Sequence, residues 1–62
     1  MHKINDTDWL CDEDEWIKMM GYLTPEDREQ AFHHIIVWDG DNIYFGDFLT
    51  RDEMIELKLK VL

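Results

Sequence analysis

Serine is absent from this sequence, and cysteine and proline occur only once each. The absence of serine excludes a serine nucleophile. The single cysteine, Cys11, excludes an internal disulfide, and no Cys/His cluster has the spacing of a structural zinc site. Acidic residues at 12–15 disfavour the thiolate of Cys11, so we interpret this cysteine as structural or incidental and not as a nucleophile. A chain of 62 residues must then gain its stability from a small core or from assembly.

Basic residues are scarce. Six Lys and Arg side chains stand against 15 Asp and Glu side chains, which gives a formal net charge of -9. Such a chain repels phosphates, so we expect no direct binding of DNA or RNA. The same charge is attracted to surfaces that bind nucleic acid, and spaced carboxylates can occupy the basic groove of a DNA-handling enzyme. The alternative is that the charge only keeps a small aromatic-rich protein soluble.

Long apolar runs are also missing. No stretch approaches the roughly 20 apolar residues of a membrane span, and the opening MHKINDTDW lacks the apolar run of a signal peptide. We therefore expect a soluble, cytoplasmic protein with a single domain over residues 1–62. Three Trp, two Tyr, three Phe and four Met are many large side chains for so small an interior. This surplus predicts a homo-oligomer interface, with a tightly packed monomer as the alternative.

A first helix is predicted from Asp12 onward. Acids at 12–15 would lie in its first turn, near the positive end of the helix dipole. The apolar residues that follow have the spacing i, i+3, i+4 and i+7 of one helix face: Trp16, Met19, Met20 and Leu23. Residues 1–12 carry few signals and are predicted to form an arm or a short strand.

A second helix is predicted from about 25 to 34. Thr24 suits the N-cap and Pro25 suits the first helical position, where a missing N–H costs nothing. This helix would bury Ala31, Phe32 and Ile35.

Residues 35 to 46 predict a β-hairpin. The run IIVW at 35–38 is β-branched or aromatic, DGDN at 39–42 is dense in turn formers, and IYF at 43–45 resumes the strand composition. Gly46 predicts a bulge or a strand end.

The tail TRDEMIELKLKVL, residues 50–62, supports two interpretations. Thr50 and Glu53 have the spacing of a capping box, which predicts a helix. The apolar residues at 55, 57, 59 and 61 alternate with charged ones, which predicts a strand at 55–61. The fold class expected overall is α+β, with one or two short helices packed on a small antiparallel sheet made from the hairpin and, in the second interpretation, this strand.

Catalytic and metal sites are not expected. The Asp39-Gly-Asp41-Asn sequence resembles the start of a calcium loop, but Ile43, Tyr44 and Thr50 stand where that loop needs a ligand, a glycine and a carboxylate. His33 and His34 are adjacent, and neighbours on a helix point about 100° apart, so they do not chelate one ion easily. They can instead respond to pH on an acidic surface. We therefore predict a protein that is not an enzyme and needs no cofactor.

The tail resembles the carboxyl end of the small uracil-DNA glycosylase inhibitors of phi29-like bacteriophages. That family also ends on a Thr-x-Asp-Glu pattern, an alternating strand and Lys-Val-Leu. The matching positions, with one residue gapped before Lys60, are Thr50, Asp52, Glu53, Ile55, Leu57, Leu59, Lys60, Val61 and Leu62. The resemblance covers residues 50–62, about a fifth of the chain.

The resemblance implies a dimeric DNA mimic whose carboxylates take the place of phosphates on a glycosylase. It also implies an apolar pocket that captures an apolar side chain of the enzyme. In this chain the hairpin is followed almost at once by Thr50, so the helix of the family corresponds either to residues 24–34 or to the tail itself. For that reason no pocket residue is carried over by position.

Candidate partner-binding residues come instead from local reasoning around the hairpin and the tail. The acidic candidates are Asp39, Asp41, Asp47, Asp52 and Glu53, and the apolar candidates are Trp38, Tyr44, Phe45 and Phe48. Core packing explains most of these aromatics equally well. The expected partner is a host DNA-binding enzyme, with uracil-DNA glycosylase first, in the cytoplasm of the host cell if the protein is phage-encoded. Alternatives are a restriction or CRISPR nuclease as target, or a small acidic interaction module without mimicry.

Overall fold

A computed structural model describes all residues, 1–62, as three helices and four strands. In chain order the elements are β1 (His2–Lys3), β2 (Asp8–Asp12), α1 (Glu13–Tyr22), α2 (Pro25–His33), β3 (Ile35–Asp39), β4 (Asn42–Gly46) and α3 (Arg51–Val61). All strand pairs are antiparallel, and the order across the sheet is β1-β2-β4-β3. The α+β fold class is confirmed.

The hairpin of β3 and β4 is confirmed. Its turn places Gly40 at a φ of 57°, and no other residue has a positive φ. A positive φ at the first central position alone is the pattern of a type II′ turn, whereas a type I′ turn needs two such residues. Between the pairs Ile35–Phe45 and Val37–Tyr44 the register shifts by one residue, so the bulge lies at Ile36 of β3 while Gly46 ends β4.

Both predicted helices in the first half form. Asp12 caps α1 through a capping box with Glu15, and Thr24 caps α2, with Pro25 as its first residue. The predicted face of α1 is turned inward: Trp16, Met19 and Leu23 are buried, and Met20 is half-buried against them.

The strand predicted at 55–61 is wrong, because these residues belong to α3. Thr50 and Glu53 form the predicted capping box, and this local signal prevails over the alternation that follows it. In the helix, Met54, Leu57 and Val61 share a buried face, while Ile55 and Leu59 are exposed on the far side. The period-two pattern therefore comes from apolar residues on two nearly opposite sides of one helix.

The sheet takes its other strands from the N-terminus. Residues 1–12, predicted as an arm or a short strand, supply β1 and β2, and β2 pairs with β4 along its whole length. In α2, Ala31 is buried as predicted, but Phe32 is 51 % exposed, and Ile35 is only half-buried and begins β3. The expected burial of Phe32 and Ile35 by α2 is therefore wrong.

The core lies between one face of the sheet and the helices, with α1 packed on α3 and against β2 and β4. Trp16 is its centre. The ring of Trp16 makes edge contacts with Phe32, Trp38 and Phe45 at centroid distances of 5.5, 5.9 and 5.4 Å. Such edge-to-face pairs add to the free energy of burial. The most buried large side chains are Trp9, Phe45, Met19, Ile43 and Met54.

Candidate acidic partner-binding surface

Carboxylates gather at the end of the sheet where β2 passes into α1 and where the hairpin turns. We name this group the acidic edge: Asp12, Glu13, Asp14, Asp39 and Asp41. Asp12 and Asp39 flank Asn42 from the two neighbouring strands, and Asp41 lies in the turn just before it. The pairing of three strands thus joins two acidic segments that are far apart in sequence.

None of the five carboxylates of the acidic edge forms an ion pair, although the Met1 amino group interacts with Asp12 electrostatically. A shallow depression of about 390 Å³ at this site is lined only by Asp12, Glu13, Asp14 and Asp41. The ion pairs of the protein lie elsewhere: the Met1 amino group with Glu15, His33 with Glu29, and Lys60 with Glu56. The edge therefore presents its charge to the solvent.

Local structure explains why these like charges are tolerated together. The side chain of Asp12 accepts a hydrogen bond of 2.7 Å from the backbone N–H of Glu15, at the N-terminus of α1. Glu13 and Asp14 follow in the first turn, where the positive end of the helix dipole stabilises anions. The acid run is thus a helix start, as its sequence indicates, and also half of a charged surface.

The face of the sheet away from the helices carries an apolar band. Side chains alternate along a strand, so the residues between the buried ones point outward. Leu10 pairs with Tyr44, and Tyr44 pairs with Val37, which sets three apolar side chains in a row across β2, β4 and β3. Leu10 and Tyr44 are half-buried and Val37 is 48 % exposed. We call this row the open face.

The open face and the acidic edge are one continuous surface. Asp12 lies two residues beyond Leu10 on β2, and Asp39 two residues beyond Val37 on β3, so the row ends at these two acidic positions. The Asp12 carboxylate also caps α1, whereas Asp39 has no ion-pair partner. An apolar band that ends in carboxylates suits a partner surface with an apolar spot and a basic border.

Of the acidic candidates from the sequence, only Asp39 and Asp41 belong to the acidic edge. Asp47 lies beyond the opposite end of β4, about 20 Å from Asp41 at the usual rise of a strand. It accepts a hydrogen bond of 2.5 Å from the indole N–H of Trp9. Glu53 completes the cap of α3, and Asp52 is exposed in the first turn of that helix. Asp47 and Glu53 therefore have structural roles.

The aromatic candidates are divided between core and surface. Phe45 is fully buried and out of reach of any partner, and Phe48 is half-buried with its ring 6.1 Å from that of Phe45. Trp38 is 45 % exposed, with its indole N–H donating to the carbonyl of Gly40 at 3.1 Å. Tyr44 is the one candidate on the open face.

Sequence reasoning missed the contributions of β2 and α1 to this surface. The signal for Leu10 was available, because Trp9, Leu10 and Cys11 in DWLCD alternate between two faces once that segment is recognised as a strand. The joining of Asp12 to Asp39 had no local signal, because it depends on the register between distant strands.

The remaining reactive groups are arranged as structural residues. Burial raises the pKa of the Cys11 thiol to about 11, so the thiol stays neutral at physiological pH. The Nδ1 atom of His34 lies 2.7 Å from the carbonyl oxygen of Gln30 and donates to it. No group of three or more His, Cys, Asp or Glu side chains is placed to hold a metal ion. None of the helices has the length and apolar character needed to cross a membrane.

Comparison with known proteins gives no relative from which a role can be transferred: no family model, curated protein or solved structure matches this chain.

Proposed function

We propose that this protein is a non-catalytic inhibitor that occupies the basic DNA-binding surface of an enzyme, as an acidic mimic of DNA. The acidic edge is the observation that supports the proposal most directly. Asp12, Glu13, Asp14 and Asp41 line one depression with no basic side chain among them. Clustered negative charge steers the protein toward surfaces that evolved to hold phosphates, and raises the association rate at low salt.

The open face supplies the second half of the proposed contact. Charge pairs at the border of an interface speed association, whereas apolar burial at its centre slows dissociation. Leu10, Tyr44 and Val37 form an apolar row adjoining Asp12 and Asp39, so the two contributions lie side by side.

The first target proposed is uracil-DNA glycosylase, acting in the cytoplasm of a host cell. Support for this target comes from the resemblance of residues 50–62 to phage inhibitors of that enzyme. This resemblance is one of amino-acid sequence and not of secondary structure, because α3 is a helix where the family has a strand. A restriction or CRISPR nuclease is the alternative target, and a small acidic interaction module without mimicry is the alternative function.

We further propose that the protein is a homodimer, formed through β3. This strand is at an edge of the sheet, so one side of its backbone has no partner strand. Its side chains Ile36, Val37 and Trp38 are 56, 48 and 45 % exposed. An exposed apolar edge strand is prone to pair with another strand. Pairing with β3 of a second copy would satisfy its free backbone N–H and C=O groups in a closed, two-fold symmetric dimer. Light scattering at micromolar concentration should give about twice the chain mass of 7.6 kDa; a value near the chain mass contradicts the dimer.

Mimicry can be tested by displacement of a fluorescent DNA duplex from purified enzymes, followed by anisotropy at low and moderate salt. The panel is a uracil-DNA glycosylase, a restriction nuclease and a CRISPR nuclease. Displacement that weakens steeply with salt is the expected result for the true target. A module without mimicry displaces DNA from none of them, or binds with little dependence on salt.

A matched pair of variants isolates the acidic edge. D39N/D41N removes two charges from the edge, and E26Q/E29Q removes two charges from exposed positions of α2. The first should weaken displacement about tenfold or more, at roughly 1 kcal/mol for each charged contact, and the second should change it much less. Equal losses in the two variants would mean that net charge alone drives binding.

A further inference from the structure

A cleft of about 140 Å³ lies on the helical side of the protein, where the end of α1, the start of α2 and the length of α3 meet. Its lining combines one aromatic ring, three carboxylates, one ammonium group and an apolar floor: Tyr22, Asp27, Glu53, Glu56, Lys60 and Leu57. Tyr22 is 56 % exposed, so its ring is open to the solvent along part of its surface.

The protein's own Lys60 shows which chemistry this cleft accepts. The Nζ atom of Lys60 lies 6.0 Å from the centroid of the Tyr22 ring and 3.7 Å from a carboxylate oxygen of Glu56. An ammonium group over an aromatic face, beside a carboxylate, is the arrangement by which proteins bind organic cations. The lining retains two negative charges after Lys60 is counted against its three carboxylates.

Size and charge together define the ligand. The cleft is below the roughly 300–1,000 Å³ of pockets that hold whole small molecules, so it accommodates a head group. We propose that it binds the guanidinium or ammonium group of an organic cation, which displaces the Lys60 ammonium from the face of Tyr22. Two sources share this chemistry: an Arg or Lys side chain of a partner protein, and a free diamine.

This cleft is separate from the acidic edge. Tyr22 ends α1 and Glu13 begins it, a separation of about 14 Å at the rise of an α-helix. Cation binding in this cleft is therefore separate from the proposed function, and it can be tested without any enzyme.

The test is a titration of the isotopically labelled protein with N-acetylarginine amide at low salt, followed by amide chemical shifts. Saturable shifts should be centred on residues around Tyr22 and Lys60. N-acetylcitrulline amide, a neutral analogue of the same shape, should give none. Putrescine is compared with N-acetyl-Arg-Gly-Arg amide, which carries the same charge of +2: tighter binding of putrescine indicates a free diamine, and weaker binding indicates a protein side chain. Shifts spread over all acidic surfaces, or equal shifts with citrulline, would overturn the proposal.

Two variants make the test specific. Y22L removes the aromatic face at an exposed position and should weaken binding about two- to fivefold. K60M removes the resident cation and should strengthen binding, whereas K18M makes the same charge change at an exposed position of α1 outside the cleft. Equal strengthening by K60M and K18M would contradict displacement of Lys60, and unchanged affinity in Y22L would remove the aromatic contact.

Discussion

The two faces of the sheet are built from the same strands, yet one is closed and the other is open. On the face toward the helices, Trp9, Cys11, Ile43 and Phe45 are at most 3 % exposed. On the opposite face, neighbouring positions carry the half-buried or exposed Leu10, Tyr44 and Val37. Apolar residues alone therefore do not mark the core of this protein. Coverage by α1 and α3 decides which apolar residues stabilise the fold and which remain available for contact.

The largest effect is expected when the neighbouring aromatic residues of β4 are each replaced with alanine. Phe45→Ala opens a cavity at a fully buried site and should lower the free energy of unfolding by about 3–5 kcal/mol. Since small domains have only about 5–15 kcal/mol in total, this variant should be close to unfolded. Tyr44→Ala, on the open face, should cost about 1 kcal/mol, the value of a cross-strand contact. Urea unfolding followed by circular dichroism gives both values, and equal costs would contradict the difference between the faces.

Burial of Cys11 on the closed face should also make the free energy of unfolding depend on pH in the alkaline range. The pKa of the Cys11 thiol is raised by burial, from 9.0 to about 11. Between these values the unfolded chain loses its proton while the folded chain keeps it, so stability falls as the pH rises from about 9 to about 11. At about 1.4 kcal/mol per pKa unit, the loss approaches 2–3 kcal/mol. Cys11→Ala should flatten this interval in urea unfolding measured at successive pH values; an unchanged slope would show that other groups cause it.

A smaller effect is expected from loosening the cover of the closed face. Thr50→Ala removes the hydroxyl that accepts a hydrogen bond from the backbone N–H of Glu53 and should lower the free energy of unfolding by about 1 kcal/mol. Thr50→Ser keeps the hydroxyl and is the matched control. Thermal unfolding followed by circular dichroism distinguishes them. If both variants unfold like the original chain, the capping box does not hold α3 on the core.

The smallest effect on folding is expected on the open face. Val37→Thr places a hydroxyl of similar size at a position that is 48 % exposed, and the free energy of unfolding should change by less than about 0.5 kcal/mol. The free energy of unfolding should be measured at protein concentrations where light scattering detects no assembly. The same variant should weaken the proposed dimer, because it adds a polar group to the edge strand. A large loss of stability without assembly would show that Val37 is part of the core.

Much of the fold follows from local signals in the sequence. Thr24-Pro25 starts α2, the acids at 12–15 start α1, and the DGDN turn makes the hairpin. The sequence of the tail supports two interpretations, because its alternation suits a strand and its cap suits a helix. The arm or short strand predicted at residues 1–12 is in fact two strands, and their pairing has no local signal, because β1 has only two residues and β2 pairs with β4 across two intervening helices.

The surface was predictable only in part, for the same reason. Asp39 and Asp41 are predictable candidates, because the hairpin turn keeps them exposed. Their union with Asp12 requires the pairing of both Asp12 and Asp39 with Asn42, a long-range register that no local pattern encodes. Asp47 also lies beside the hairpin in the sequence, but its hydrogen bond to Trp9 gives it a structural role.

The most direct measurement is a titration of this protein into a uracil-excision assay with purified bacterial uracil-DNA glycosylase, at low and moderate salt. We expect stoichiometric inhibition at low salt that weakens as salt rises, and weaker inhibition by D39N/D41N than by E26Q/E29Q. Undiminished uracil excision at a large excess of the protein would contradict this target, and the nucleases of the displacement panel would then decide whether the acidic edge mimics DNA at all.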